Sequence, residues 1–166
     1  MAQFTSPPRG LSLSHPVVLI ATWLGSGLLP KAPGTWGSVA AVPFALLIWW
    51  VGGAFWLALA GVLLFGAGLW ASQRYALALG RDDPSEVVVD EVAALWLVLA
   101  ALPVTPFNWF AGFLLFRFFD ILKPWPIGWA DGRIKGGFGI MLDDVIAAFY
   151  AVLVFIVADI AIASLI

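Results

Sequence analysis

Cysteine is absent from the 166-residue sequence, and histidine occurs once, as His15. The first absence excludes disulfides, thiolate nucleophiles and thiolate metal sites. The second argues against zinc chemistry and against phosphohistidine intermediates that use a histidine pair. His15, next to Pro16, reads as a surface or interfacial residue and not as a ligand. Charge is scarce too: 11% of residues are charged and the net charge is -2, too small to imply nucleic acid. The opening segment Met1 to Ser14 carries one basic residue, Arg9, and no apolar run with a cleavage site, which predicts that the N-terminus is retained. Catalysis in such a chain falls to carboxylates, lysine, arginine, hydroxyls, backbone amides and a hard metal.

What the chain has in excess is apolar surface. Hydrophobic residues make up 63% of it, against roughly 45–50% in soluble domains, and the mean hydropathy is +1.02. The ten tryptophans fit an interfacial belt and buried packing equally well. Apolar stretches run from Val39 to Trp50, Ala54 to Ser72, Val87 to Leu102, Trp109 to Leu122 and Ile140 to Ile166. In lipid each must be helical, because no water is present to satisfy an open strand edge. The expected fold is all-α, a single domain over residues 1–166: a polytopic membrane bundle of about five apolar helices. Pro16 to Leu29, interrupted by Gly25 and Gly27, reads as an N-terminal interfacial or re-entrant segment. The first stretch is short and must extend from about Thr35 to Gly52, thin the bilayer, or fail to cross.

Charge placement predicts the turns. If the chain reverses at Gly52-Gly53 and again at Pro103 to Pro106, the connectors Met1 to Ser38, Gln73 to Glu86 and Lys123 to Gly139 share one side. With the bordering helix ends they hold all eight Lys and Arg and every acid except Asp159. The positive-inside rule makes that side cytoplasmic. Asp83-Pro84-Ser85-Glu86 has the form of a capping box opening the third helix. Asp159 has no partner evident in the sequence.

Ionisable groups at membrane depth are costly, and their default reading is functional and paired. Asp90-Glu91, one turn inside the third helix, and Asp143-Asp144, at a matching depth in the last, can converge from the same side. Their repulsion then calls for a cation, and hard oxygen ligands suit Mg²⁺ or Mn²⁺. Solvated helix starts remain the bland alternative. Arg117, Asp120 and Lys123 recur on one helical face before Pro124. They form either a simple ion pair or a phosphate grip of Arg117 and Lys123 oriented by Asp120. Lys31, Gly34, Thr35, Gly37 and Ser38 form a small-residue loop opening into the first apolar stretch. Its amides and hydroxyls suit an anion, though a turn with a serine cap explains it nearly as well. Together these parts are equipment for phosphoryl transfer from a substrate whose tails stay in lipid.

Gly25-Ser26-Gly27-Leu28, Pro33-Gly34-Thr35 with Gly37-Ser38, Asp90-Glu91, Phe116-Arg117 with Asp120, Lys123-Pro124-Trp125-Pro126-Ile127, and Gly136-Gly137 with Gly139-Ile140-Met141 and Asp143-Asp144 run in order through most of the chain. This set resembles the bacterial phosphatidylglycerophosphatase A family. The pattern departs from the family at Asp131-Gly132-Arg133, which leaves Arg133 without an assigned role. The resemblance implies a multi-pass enzyme of the bacterial inner membrane, with its active site on the cytoplasmic side. It implies Mg²⁺-dependent hydrolysis of phosphatidylglycerophosphate to phosphatidylglycerol and phosphate. Asp90, Glu91, Asp143 and Asp144 are then the expected ligands of one or two Mg²⁺ ions, with Asp120 as a further ligand or orienter. Lys31, Gly34, Thr35, Gly37, Ser38, Arg117 and Lys123 are the expected phosphate contacts. Water attack and an aspartyl-phosphate route both remain open. Two rivals are an alcohol phosphotransferase, disfavoured because Asp131-Gly132 leads into Lys135-Gly136 instead of that class's signature, and a small channel or transporter subunit.

Overall fold

Prolines open three of the helices, and glycine bends and ends the longest. A computed structural model of the chain describes residues 5–165. The start of the predicted retained N-terminus, and Ile166 of the fifth apolar stretch, lie outside them. The described residues form helices α1 (Pro16–Ala21), α2 (Pro33–Leu79), α3 (Val89–Ala101), α4 (Pro106–Leu122), α5 (Ile127–Arg133) and α6 (Gly136–Ala163), with a 3₁₀ turn at Ser26–Leu28 and no strand. The all-helical expectation holds. Two helices, α2 and α6, are long and apolar enough to cross a membrane. The 13 residues of α3 and the 17 of α4 give about 20 and 26 Å at 1.5 Å per residue, short of a full hydrocarbon core.

Helix α2 contains the first two predicted stretches. Its regularity breaks at Gly53, with φ 72° and ψ -166°, a conformation that glycine enters without a Cβ penalty. The two limbs, 33–52 and 54–79, double back. Gly37 packs on Val88, and Gly68 on Val89 and Met141, so points on both limbs touch adjacent residues at the start of α3. On one straight helix those glycines would be about 46 Å apart. The Gly52-Gly53 turn read from the charge pattern is therefore present.

Helix α3 is buried nearly all round, as expected of an element that is apolar on every face beyond its first turn. Val92, Leu95, Val98 and Leu99 pack with Ala41, Ala45 and Leu57 of the α2 limbs. The Trp96 indole donates to the Ala41 carbonyl at 3.0 Å, satisfying the one polar group on that face. At the other end Val17, Val18 and Ala21 of α1 join Tyr75, Val89 and Met141. The outward surface is apolar in the opposite sense to a soluble protein: Trp50, Val51, Phe55, Phe107 and Trp125 are each more than 70% exposed. This inverted surface, with α2 and α6, marks a membrane-associated chain.

The predicted interfacial segment is a short helix that ends in left-handed Trp23, Leu24 and Gly25 before the 3₁₀ turn. His15 caps α1, its Nδ1 accepting from the Val17 amide at 3.2 Å. The capping box at Asp83–Glu86 does not form. Helix α3 starts at Val89 with no side-chain cap, because the Val88 amide donates to the Ala21 carbonyl at 2.8 Å and Glu86 is drawn to Arg81 at 3.2 Å. Asp159 is exposed in a cleft with Phe107 and Asn108, at the end of the bundle remote from the other acids of α3 and α6.

Candidate active site

Three glycines seat the start of α6. Gly136 takes φ 75°, a Cβ on Gly137 would overlap the Leu69 carbonyl, and one on Gly139 would overlap that of Ile134. The Gly137 amide donates to Gln73 Oε1 at 2.6 Å, tying α6 to the second limb of α2. Two turns further on, Asp143 and Asp144 are both buried. Asp90 and Glu91 occupy the first turn of α3, where the helix dipole favours negative charge.

Asp90, Glu91 and Asp144 converge, each offering a carboxylate oxygen within 4.8 Å of the others. Asp143 does not join them. Its Oδ2 accepts from Lys123 Nζ at 2.6 Å, and the same ammonium donates to Asp131 Oδ1 at 2.7 Å. Lys123, the left-handed cap of α4, thereby clips α4, α5 and α6 together. Burial pulls the Lys123 pKa down, but the two carboxylates outweigh it and hold the group above the ordinary lysine range, so it stays charged. Asp131 and Gln73 are site-building residues that the sequence reading missed. The signal for Asp131 was its place in the short helix following Lys123.

Arg117 spans the gap between helices. It pairs with Asp120 at 2.5 Å and with Glu91 at 3.7 Å. Its guanidinium also reaches Ser38 Oγ at 3.4 Å and Thr35 Oγ1 at 3.5 Å. Ser38 spends its own proton on the Gly34 carbonyl at 2.9 Å, which leaves its oxygen free to accept from Arg117. The segment predicted as a loop is the first turns of α2, since the Thr35 and Trp36 amides close onto the Ala32 carbonyl. Gly37 serves close packing against Val88. Lys31 is exposed and does not line the cavity.

The cavity has a volume of about 360 Å³, and its walls include Gly34, Asp90, Glu91, Arg117, Lys123 and Asp144. Buried Asp90 Oδ1, Glu91 Oε2, Asp143 Oδ1 and Asp144 Oδ2 have no hydrogen-bond partner among the described residues. The orphaned oxygens of Asp90, Glu91 and Asp144, on carboxylates that converge, fit a hard divalent cation, which takes oxygen ligands and cancels their repulsion.

The chain matches the family described as phosphatidylglycerophosphatase A over residues 19–159. The chain belongs to that family. It is 42% identical to the phosphatidylglycerophosphatase A of Haemophilus influenzae, covering 90% of this chain and 92% of the relative. It is 41% identical to that of Escherichia coli, over 82% and 80% of the two chains. A Bacteroides thetaiotaomicron protein provisionally named a phosphatidylinositol-3-phosphatase is 40% identical over 85% of this chain and 92% of its own. No solved structure matches. As a member of the phosphatidylglycerophosphatase A family the chain is an enzyme, a phosphatase of phospholipid metabolism.

Gly34 offers a test of how the candidate site is packed. A Cβ there would overlap Glu91 Oε1 and lie 3.3 Å from Arg117 Nη1. Both atoms end flexible side chains, so Gly34→Ala protein is expected to fold normally while Glu91 is displaced. Where a displaced group takes part in the reaction, a shift of about 1 Å costs on the order of 100-fold, and that is the effect expected if Glu91 takes part. Phosphate release should fall by that factor with an unchanged melting temperature; a variant as active as the original would show that Glu91 has slack.

Proposed function

We propose that the chain hydrolyses the terminal phosphate monoester of phosphatidylglycerophosphate with a divalent cation, Mg²⁺ by preference, held by Asp90, Glu91 and Asp144. The observation that carries this reading is the convergence of those carboxylates, with unpartnered oxygens, on a cavity whose walls also hold Arg117 and Lys123. Asp120 acts by orienting Arg117, and Asp143 is held by Lys123 at the edge of the triplet. A cation bound there supplies charge neutralisation at the phosphoryl oxygens and a more acidic bound water. The protein's own share is to aim donors and to take a proton. Arg117 presents its fork to the phosphoryl oxygens, with Thr35 and Ser38 bracing it from behind. Hydrolysis also moves one proton from water to a base, for which the wall offers buried carboxylate oxygens.

The same reading makes the chain multi-pass, the two α2 limbs, α3, α4 and α6 serving as its membrane helices. The cavity then opens at the cytoplasmic face, where the basic connectors collect. Exposed Trp50, Phe55, Trp56 and Phe107 at one end, and Trp36, Trp125 and Trp129 at the other, fit two interfacial belts.

The test is phosphate release by purified protein in micelles. Phosphatidylglycerophosphate, phosphatidic acid and phosphatidylinositol 3-phosphate are offered separately, each with and without chelator. Release is expected from the first substrate, to cease with chelator and to return with Mg²⁺. Chelator-resistant release would remove the cation from the mechanism, and equal rates on the three lipids would remove the head-group assignment.

A further inference from the structure

An apolar groove of about 460 Å³ lies between the first limb of α2, the end of α3 and α4, walled by Val39, Val42, Pro43, Leu99, Trp109 and Phe113 among others. Its position relative to the phosphatase site follows from helix periodicity. Val39 and Val42 stand four residues after Thr35 and Ser38, and Phe113 stands four before Arg117. Residues four apart share a helix face. The upper walls of the groove are therefore one turn below the residues that meet at Arg117, on the faces that those residues present to each other. From Phe113 to Pro106, its remote end, the groove follows α4 for about 10 Å.

Two features keep this groove open. Pro43 lies inside α2 and lacks the N–H that would bond to the Val39 carbonyl, which loosens that turn of the wall. Gly112, on the neighbouring face of α4, lets Val98 of α3 and Leu102 just after it pack closely, so α4 leans on the end of α3. Other apolar clefts lack this connection. The one lined by Phe107, Phe118 and Asp159 lies between α4 and α6, and the one lined by Leu47, Trp56 and Leu63 lies near the Gly53 turn.

We infer that the Val39–Phe113 groove holds an acyl chain of the phospholipid substrate, so that the lipid enters sideways between α2 and α4 and its head group reaches Arg117 from below. This rests on the proposal that the substrate is a lipid-borne phosphate. The occupant follows from continuity. A substrate whose phosphate is held at Arg117 and whose tails remain in hydrocarbon has an apolar groove one helical turn below the grip, and no charged side chain lines it. The groove would select for tail length, a property that the polar cavity cannot read.

Filling the groove tests the inference. Val42→Phe and Phe113→Trp proteins would be assayed on long-chain dioleoyl and short-chain dihexanoyl phosphatidylglycerophosphate in detergent micelles, beside Leu63→Trp as a bulky change elsewhere on the apolar surface. Filling variants are expected to lose about 10-fold or more in kcat/KM on the dioleoyl lipid, mainly through KM, and little on the dihexanoyl lipid. Leu63→Trp should leave both unchanged. A groove that takes no tail would show equal effects on the two lipids, or none, and that result overturns the inference. Phe113→Ala, which enlarges the groove, guards against a folding defect: it should also alter the ratio between the two lipids, and an unaltered ratio counts against the groove. Failure of the unsubstituted chain to hydrolyse either lipid would instead strike the proposed substrate.

Discussion

Asp144→Asn protein is expected to fold, to bind detergent as the unsubstituted chain does, and to release phosphate at least about a thousandfold more slowly. Asparagine keeps the size of the side chain and removes one charge from three carboxylates whose oxygens lie within 4.8 Å of one another. Without a cation, carboxylates that close repel one another whenever they are ionised. The substitution should therefore leave the melting temperature in chelator unchanged or higher, and should remove most of the extra stability that Mg²⁺ confers by binding only the folded state. Both halves are measurable on one preparation, by phosphate release and by thermal melts with and without Mg²⁺. Activity within tenfold of the original would mean that the triplet is structural. Asp90→Asn is expected to behave in the same way.

The second large effect is at Arg117. Lysine is a point charge on a flexible stem and cannot reproduce a planar fork that reaches four side chains on three helices. Arg117→Lys is expected to lower kcat/KM by about 100-fold or more, comparable with the loss of one donor aimed at developing oxygen charge. Arg117→Ala goes further. It leaves Asp120 and Glu91, both largely buried, without their cationic neighbour, and breaking such a pair typically costs about 3–5 kcal/mol. Chemical denaturation in micelles reads that term separately from activity. A lysine variant with full activity would show that the guanidinium only bridges helices.

How far these residues could be found in advance depended on whether their partners were local. The Gly53 reversal was legible because charge distribution along a membrane chain reports sidedness, and no charged residue flanks that turn. The convergence of Asp90-Glu91 with α6 was legible because matched depths on helices of the same side bring acids to one level. Which acid of Asp143-Asp144 would face the triplet was not. Consecutive helical residues point about 100° apart, and the choice is made by Lys123, whose left-handed cap aims its ammonium at Asp143. The capping box at Asp83–Glu86 failed for a related reason. A local pattern lost to a long-range hydrogen bond from Val88 to Ala21 and an ion pair from Glu86 to Arg81. Thr35 and Ser38 were recognised as donors for a phosphate, but they point at Arg117, a contact across the fold that no spacing within their own segment encodes.

The doubled-back α2 has a consequence for the newly made chain. The hydroxyls that brace Arg117 emerge before Gly53, the first acids with α3, the guanidinium with α4 and the last acid only with α6. A nascent polypeptide still lacking its final helix has two carboxylates and no third to complete the cage. On the proposed reading, hydrolysis needs α6 in place, and a chain truncated before Gly136 is expected to release no phosphate from the lipids around it.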